Sequence, residues 1–319
     1  MAARTTAGKK RTTSKSSGVV GGDFRTLLDY VRYAVSQFVA AKLGFAHGTT
    51  DPVAEAVFLV CETLHLRPEQ FEAFAAARVT AAEGAKILDL IERRVVTRMP
   101  AAYLVNKIYM RGLPFYVDER VIVPRSFIGE LLDTHFGGED GEGMSLIGDA
   151  AGIERVLDLC TGSGCLAILA ARHFPNAQID AIDISKDALE VAARNVREHG
   201  IADRVKLYRG DLFKPLAGTR YDLIICNPPY VDADGLAALP SECRAEPKLA
   251  LDGGTDGLDV IRRILSEAKR HLLARGGLLC EVGRGRERLE AAFPRLPLLW
   301  LDTEESEGEV FWIGANDLP

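Results

Sequence analysis

The sequence has no apolar run long enough to span a bilayer, and its first residues lack the apolar core of a secretion signal. These absences predict a cytoplasmic chain that does not insert into a membrane. Its cysteines, Cys61, Cys160, Cys165, Cys226, Cys243 and Cys280, form no C-x-x-C pair, which argues against a zinc site, and no metal is expected. Four of them lie in or beside apolar runs, as reduced core thiols do. An excess of positive charge is also missing. The net charge of −6 argues against broad, sequence-independent nucleic-acid binding, which depends on Lys and Arg. In residues 1–22 the missing sign is the opposite one: Arg4, Lys9, Lys10, Arg11 and Lys15 occur among Ser, Thr and Gly with no acid. That composition predicts a disordered tail, free to touch RNA or an acidic partner or to remain solvated. The rest is ordinary for a soluble globular protein: 319 residues, 47% hydrophobic and 26% charged, enough for two domains or one large and one small.

Residues 23–105 read as a small helical domain that recognises or covers a substrate. Leu27, Leu28, Val31, Ala34, Val35, Phe38 and Val39 recur at helical spacing. Asp51-Pro52 is an N-cap followed by proline at the first helical position, and Thr80-Ala81-Ala82-Glu83 matches a capping box. No metal or nucleophile pattern occurs here. Residues 106–124 suggest a β-hairpin, with 108–111 and 115–117 as strands around Gly112-Leu113-Pro114. Residues 127–136 look helical, and the Gly- and acid-rich stretch 137–149 reads as a loop. From about residue 154 strands and helices alternate: strands at 155–159, 178–183, 205–208, 221–226 and 277–282, helices at 164–173, 185–198 and 256–274. Such alternation implies a parallel sheet covered on both faces. The last two runs, 298–301 and 310–313, are separated only by a short polar loop, so they must be antiparallel. The reading is thus an α/β, Rossmann-like seven-stranded sheet with a final antiparallel hairpin, spanning residues 125–319.

The most informative segment is Asn227-Pro228-Pro229-Tyr230, after the apolar strand 221–226. Two prolines stiffen the turn and remove two donors. An Asn side chain and a free Pro228 carbonyl then stand at a strand's carboxyl end, where open α/β sheets bind ligands. They offer two acceptors to one planar NH2 group, and Tyr230 offers a flat face to hold it. The bland alternative is a Pro-rich turn.

A second loop, Cys160-Thr161-Gly162-Ser163-Gly164-Cys165, joins a strand to a helix. Its glycines permit close ligand approach, and the helix start offers free N–H groups. With Asp183 at the end of the next strand to meet ribose hydroxyls, both a nicotinamide dinucleotide and S-adenosylmethionine fit. Three features favour S-adenosylmethionine. Asp158 before the loop would repel pyrophosphate and attract an ammonium. Asp211-Leu212-Phe213 after the third strand could hold an adenine by edge and face. The Asn-Pro-Pro-Tyr turn has no use in hydride transfer. The plain alternatives are a helix-starting turn for Gly162 and Gly164 and a helix cap or surface turn for Asp211.

In this order the motifs resemble the protein glutamine methyltransferases, class I S-adenosylmethionine-dependent enzymes that modify an amide nitrogen in a Gly-Gly-Gln loop. Glu246-Pro247-x-x-Ala250-Leu251 and Gly253-Gly254-x-Asp256-Gly257-Leu258 also fall in place, and the likeness runs from about residue 85 to the end. The segment Pro124-Arg125-Ser126-Phe127-Ile128-Gly129-Glu130, with Phe115 to Val121 before it and Cys160 in the loop, resembles the branch acting on large-subunit ribosomal protein three. The other branch acts on peptide chain release factors. Phe127 stands where that first branch more usually has proline. The resemblance implies S-adenosyl-L-methionine as cofactor, S-adenosyl-L-homocysteine as product, and that ribosomal protein or an assembling ribosomal particle as partner. It implies a cofactor site of Asp158, Thr161, Gly162, Ser163, Gly164, Asp183, Ile184, Asp211, Leu212 and Asn227. It also implies catalysis by Asn227, Pro228, Pro229 and Tyr230, with Asn227, Pro228, Tyr230 and Arg125 meeting the substrate. No chemical step follows for Arg125 or Glu246, for which surface ion pairing is an equal reading. Two rivals remain: an amino methyltransferase acting on a nucleic-acid base, and a non-catalytic cofactor-binding or ribosome-assembly module.

Overall fold

A computed structural model describes residues 23–45, 47–49, 51–136, 145–216 and 218–319. The basic tail and most of the acid- and glycine-rich loop lie outside the described residues. The chain begins with α1 (Leu27–Ala40), α2 (Pro52–Thr63), a short α3 (Phe71–Phe74), α4 (Ala81–Thr97) and α5 (Ala101–Val105). The caps sit where the sequence predicts them. Asp51 Oδ1 accepts from the Val53 and Ala54 N–H groups at 2.7 and 2.9 Å, and Thr80 and Glu83 cap each other reciprocally. The apolar faces of α1, α2 and α4 enclose Phe38, Leu59, Ile87 and Ile91 in one cluster. Within that bundle Arg94 and Glu55 are both fully buried and pair at 2.7 Å.

The hairpin follows as β1 (Ile108–Met110) and β2 (Leu113–Phe115). Its second strand lies two residues earlier than the sequence suggests. Arg111 and Gly112 both take positive φ, 49° and 73°, and close a two-residue turn. Pro114 then faces Tyr109, and the pairs that flank it complete the ladder. After α6 (Ile128–His135) come β3 (Arg155–Leu159), α7 (Cys165–His173), β4 (Gln178–Asp183), α8 (Lys186–Glu198), β5 (Val205–Arg209), β6 (Tyr221–Cys226) and α9 (Ala233–Ala238). The chain ends with α10 (Asp259–Glu267), β7 (Leu272–Glu281), α11 (Arg286–Ala292), β8 (Leu299–Leu301) and β9 (Val310–Gly314). The helix expected over 256–274 stops short: its end tightens into a 3-10 turn at Ala268–His271, and β7 starts at Leu272. Leu272 is claimed by Tyr221 of β6, ahead of a register shift. Gly276 and Gly277 then pass where any side chain would strike the β6 backbone or the Trp312 ring.

The seven strands run in the order β5-β4-β3-β6-β7-β9-β8. The first five are parallel, and β9 is antiparallel to both neighbours. Every residue of β6 is buried, as a central strand covered on both faces requires. One apolar cluster lies under α6, α7 and α8 and takes in Val117, Val121 and Val123 of the linker; a second lies under α10 and α11. No helix among the described residues is long and apolar enough to cross a membrane.

The buried ion pair yields a stability prediction. Arg94→Met should strand the Glu55 carboxylate in the bundle and lower unfolding free energy by about 3–5 kcal/mol. Adding Glu55→Leu should recover most of that loss, and urea denaturation of the three proteins measures both effects.

Candidate active site

Parallel pairing brings the ends of β3, β4, β5 and β6 to one edge, because Leu159 pairs with both Ile182 and Cys226, and Asp183 with Arg209. A cavity of about 210 Å³ opens there. Of the residues singled out in the sequence, Gly162, Asp183, Ile184, Asp211, Leu212, Asn227 and Pro229 line it.

Asp158, Thr161, Ser163 and Gly164 lie behind that lining and shape the loop. Cys160, Gly162 and Gly164 all have positive φ, at 59°, 55° and 80°. A Cβ on Gly164 would lie 3.2 Å from the Ala192 Cβ, so this loop packs directly on α8. Asn195 of α8, fully buried, donates to the Ser163 carbonyl at 2.8 Å and exchanges bonds with Tyr116 of the linker. Asp158 Oδ2 accepts from Thr161 Oγ1 at 2.5 Å and from the Ala167 N–H at 3.0 Å, while its Oδ1 is buried without a partner among the described residues. Burial pushes this carboxyl up to about 7, against the pull of those two bonds, and the Asp183 charge adds to the rise. A buried carboxylate oxygen without a donor fits an incoming ammonium group.

Asp183 closes the loop from the other side, accepting from the Gly162 N–H at 2.9 Å and the Ser185 N–H at 2.8 Å. Burial raises its pKa, and those N–H groups oppose the rise. Two donors leave lone pairs for further bonds. The Asp211 carboxylate is held differently. Lys214 and Arg263 pair with it, each at 2.7 Å, and keep its pKa below the usual range. Its neighbour Leu212 adopts φ 52°, and Ile184, half exposed, stands at the cavity wall.

Tyr230, Pro228 and Arg125 lie outside the lining. The Tyr230 ring packs against Gly283, where an added Cβ would come within 2.5 Å of it. Its hydroxyl donates to Glu281 Oε1 at 3.1 Å. Arg125 is not a surface group in search of a partner. Its guanidinium forks onto both oxygens of buried Glu246, at 2.6 and 2.8 Å. His47 Nε2 lies 3.4 Å from the same carboxylate. Burial alone would raise the Glu246 pKa, but His47 and Arg125 outweigh it and hold it down at about 2. His47, Cys243 and Glu246 bring ligand-type atoms within 4.8 Å of one another, yet the Arg125 cation already claims both Glu246 oxygens. The surface-pairing alternative is therefore replaced by a buried junction between the helical part and the sheet. Arg98 adds to that junction, 2.6 Å from Glu242.

Sequence reading did not assign Val121 and Ile122 of the linker, Leu249 or Arg263 of α10 to the site, though all four line the cavity, nor did it single out the buried Glu281. The segment before Val121 and the Glu246-Pro247 motif carried a signal, but neither revealed which way it faces.

The strand order, the glycine loop after β3 and the carboxylate ending β4 define a class I S-adenosylmethionine-dependent methyltransferase. Residues 147–239 match the family described as Methyltransferase small domain. The chain belongs to the ribosomal protein uL3 glutamine methyltransferase family. It is 74% identical to the Bradyrhizobium diazoefficiens protein of that name over 308 residues, covering 97% of this chain and 96% of the relative. The Bordetella pertussis protein is 51% identical over 297 residues, 93% of this chain and 97% of its own. That from Neisseria gonorrhoeae is 48% identical, over 93% of this chain and 96% of its own. The likeness therefore extends well into the helical N-terminal part, beyond the start near residue 85 that the motifs suggest.

At the loop, Gly164→Ala combines a left-handed backbone with a side chain pressed on Ala192. It should lower stability by about 1–2 kcal/mol, read as a shift in the urea midpoint with unchanged slope.

Proposed function

We propose that this chain transfers a methyl group from S-adenosylmethionine to the side-chain amide nitrogen of a glutamine in ribosomal protein uL3. The observation that carries the reading is Asn227 on the cavity wall, in a turn stiffened by Pro228 and Pro229, within a chain 74% identical to a uL3 glutamine methyltransferase. Bound S-adenosylmethionine supplies an activated methyl group. Asp158 Oδ1 takes its ammonium, the Gly162–Gly164 loop with Thr161 and Ser163 surrounds the methionine part, and Asp183 accepts from the ribose. Lys214 and Arg263 orient the Asp211 carboxylate at the cavity wall and leave it lone pairs, so we assign the adenine edge to Asp211 and its faces to Leu212 and Ile184.

An amide nitrogen is a poor nucleophile because its lone pair is delocalised. The Asn227 Oδ1 and the Pro228 carbonyl accept from the two N–H bonds and favour a pyramidal, developing positive nitrogen over the planar ground state; the N–CH3 bond would form as the donor's S–CH3 bond breaks, and one of the two N–H protons would then be lost to solvent. Tyr230 packs on the amide plane and holds the nitrogen in line. Arg125 reaches the substrate only through the wall it builds with Glu246. We assign substrate choice to residues 23–105, joined through 106–124 to the methyltransferase part 125–319. The fit of that helical part onto the segment after the active-site turn, through Gly44 and Arg98 on Glu242, supports this.

Incubation of uL3 with the enzyme and S-adenosylmethionine should add the mass of one methyl group on a glutamine. Transfer to release factors or to RNA, with none to uL3, overturns the reading. Asn227→Ala should slow single-turnover transfer by at least about a hundredfold while leaving the fold and most of the cofactor affinity in place. Near-wild-type turnover would remove Asn227 from the chemistry.

Cofactor affinity should also depend on pH. Below about 7 the Asp158 carboxyl is protonated and offers the ammonium no charge, so affinity should weaken as pH falls from 8 to 6, by at most about tenfold per unit. The sign follows from a raised acid pKa, which favours the neutral form in the cofactor-free protein. Asp158→Asn should bind weakly and flatten the profile, as calorimetry across that range would report.

A further inference from the structure

We propose that Glu281 is a positioning residue that fixes the Tyr230 ring for methyl transfer. This role rests on the glutamine-methylation reading above and deepens it. Glu281 ends β7, next to β6, whose chain continues into the Asn-Pro-Pro-Tyr turn. It is fully buried. Its two oxygens do different work. Oε2 accepts from Ser126 Oγ at 2.6 Å and from the Phe127 N–H at 3.1 Å, which anchors the segment entering α6. Oε1 accepts from the Tyr230 hydroxyl at 3.1 Å.

Holding the 126–127 segment requires only one of these oxygens. Burying a full carboxylate to do so is costly when no cation pairs with it, and among the described residues none does. Burial pushes this carboxyl up to about 7 despite its three donors, with the Glu309 charge adding to the rise. The second oxygen is explained by the ring it holds. Gly283 lies against the Tyr230 ring, and Gly253 and Gly257 press on its backbone. The Glu281 bond to the hydroxyl fixes the far end of the ring, which follows Asn227 by three residues in the stiff turn. A glutamine at 281 would have a single acceptor oxygen and could not receive both sets of donors in the same sense. The carboxylate therefore ties the segment preceding α6 to the aromatic face that aligns the substrate amide.

A double-mutant cycle of Glu281→Gln and Tyr230→Phe, read by methylation of uL3, tests the role. Glu281→Gln should keep cofactor affinity and the KM for uL3 within about twofold and lose about tenfold or more in kcat. Tyr230→Phe should lose a similar factor, and the double variant no more than the larger single loss. Losses that multiply, or a loss confined to KM or to thermal stability, overturn the role. Should Glu281→Gln fail to fold, Tyr230→Phe against Ser126→Ala decides. The role requires the first to lose turnover and the second to keep most of it, and the reverse pattern overturns it. Absence of transfer by the wild-type enzyme overturns the uL3 reading and this role together, whereas transfer with multiplying losses overturns this role alone.

Discussion

Everything at the active edge depends on the parallel register of β3, β4 and β6. In a parallel sheet all carboxyl ends emerge on one side, so a residue's position just past its strand fixes its place in space. Leu159, Ile182 and Cys226 stand in one row across these strands. The glycine loop, Asp183 and Asn227 follow those residues and so share one cavity. A slip of one residue in β6 would turn Asn227 to the other face and break the site without altering any local motif.

A second constraint is electrostatic. Asp158, Glu246 and Glu281 are all buried near this edge, and each is met differently. Glu246 has the Arg125 guanidinium on both oxygens and His47 beside it, and its pKa is held down. Glu281 has three neutral donors and lies poised near neutrality. Asp158 has two donors on one oxygen and none on the other. Desolvation acts on all three in the same direction, and the partners decide the outcome. The junction group serves structure, the group behind the turn holds an aromatic ring, and the half-satisfied group is the one suited to receive a positive ligand.

The helical part is joined to the catalytic edge by charge rather than by a shared apolar cluster alone. Arg98 and the Gly44 N–H hold Glu242, and His47 reaches Glu246, both on the segment between the Asn-Pro-Pro-Tyr turn and the cavity residues Pro247 and Leu249. Residues of the helical part thus hold the segment that leads into the cavity wall.

Sequence alone determined the features carried by near neighbours in the chain. The caps at Asp51 and Thr80, the strands at 155–159, 178–183 and 221–226, the glycine loop and the stiff Asn-Pro-Pro turn each arise from spacing over a few residues. The antiparallel ending followed from a loop too short for a crossover. Tertiary structure decided whatever depends on distant partners. Ser126 meets Glu281 across 155 positions and Arg125 meets Glu246 across 121, so neither pair leaves a local pattern. The same holds for Asp211, whose charge is taken by Arg263 from α10, and for the start of β7, which Tyr221 sets from a neighbouring strand. Local sequence fixes backbone conformation through sterics and capping. The state of a buried charge is fixed by which groups the fold brings within hydrogen-bonding distance, and only the packed chain specifies those.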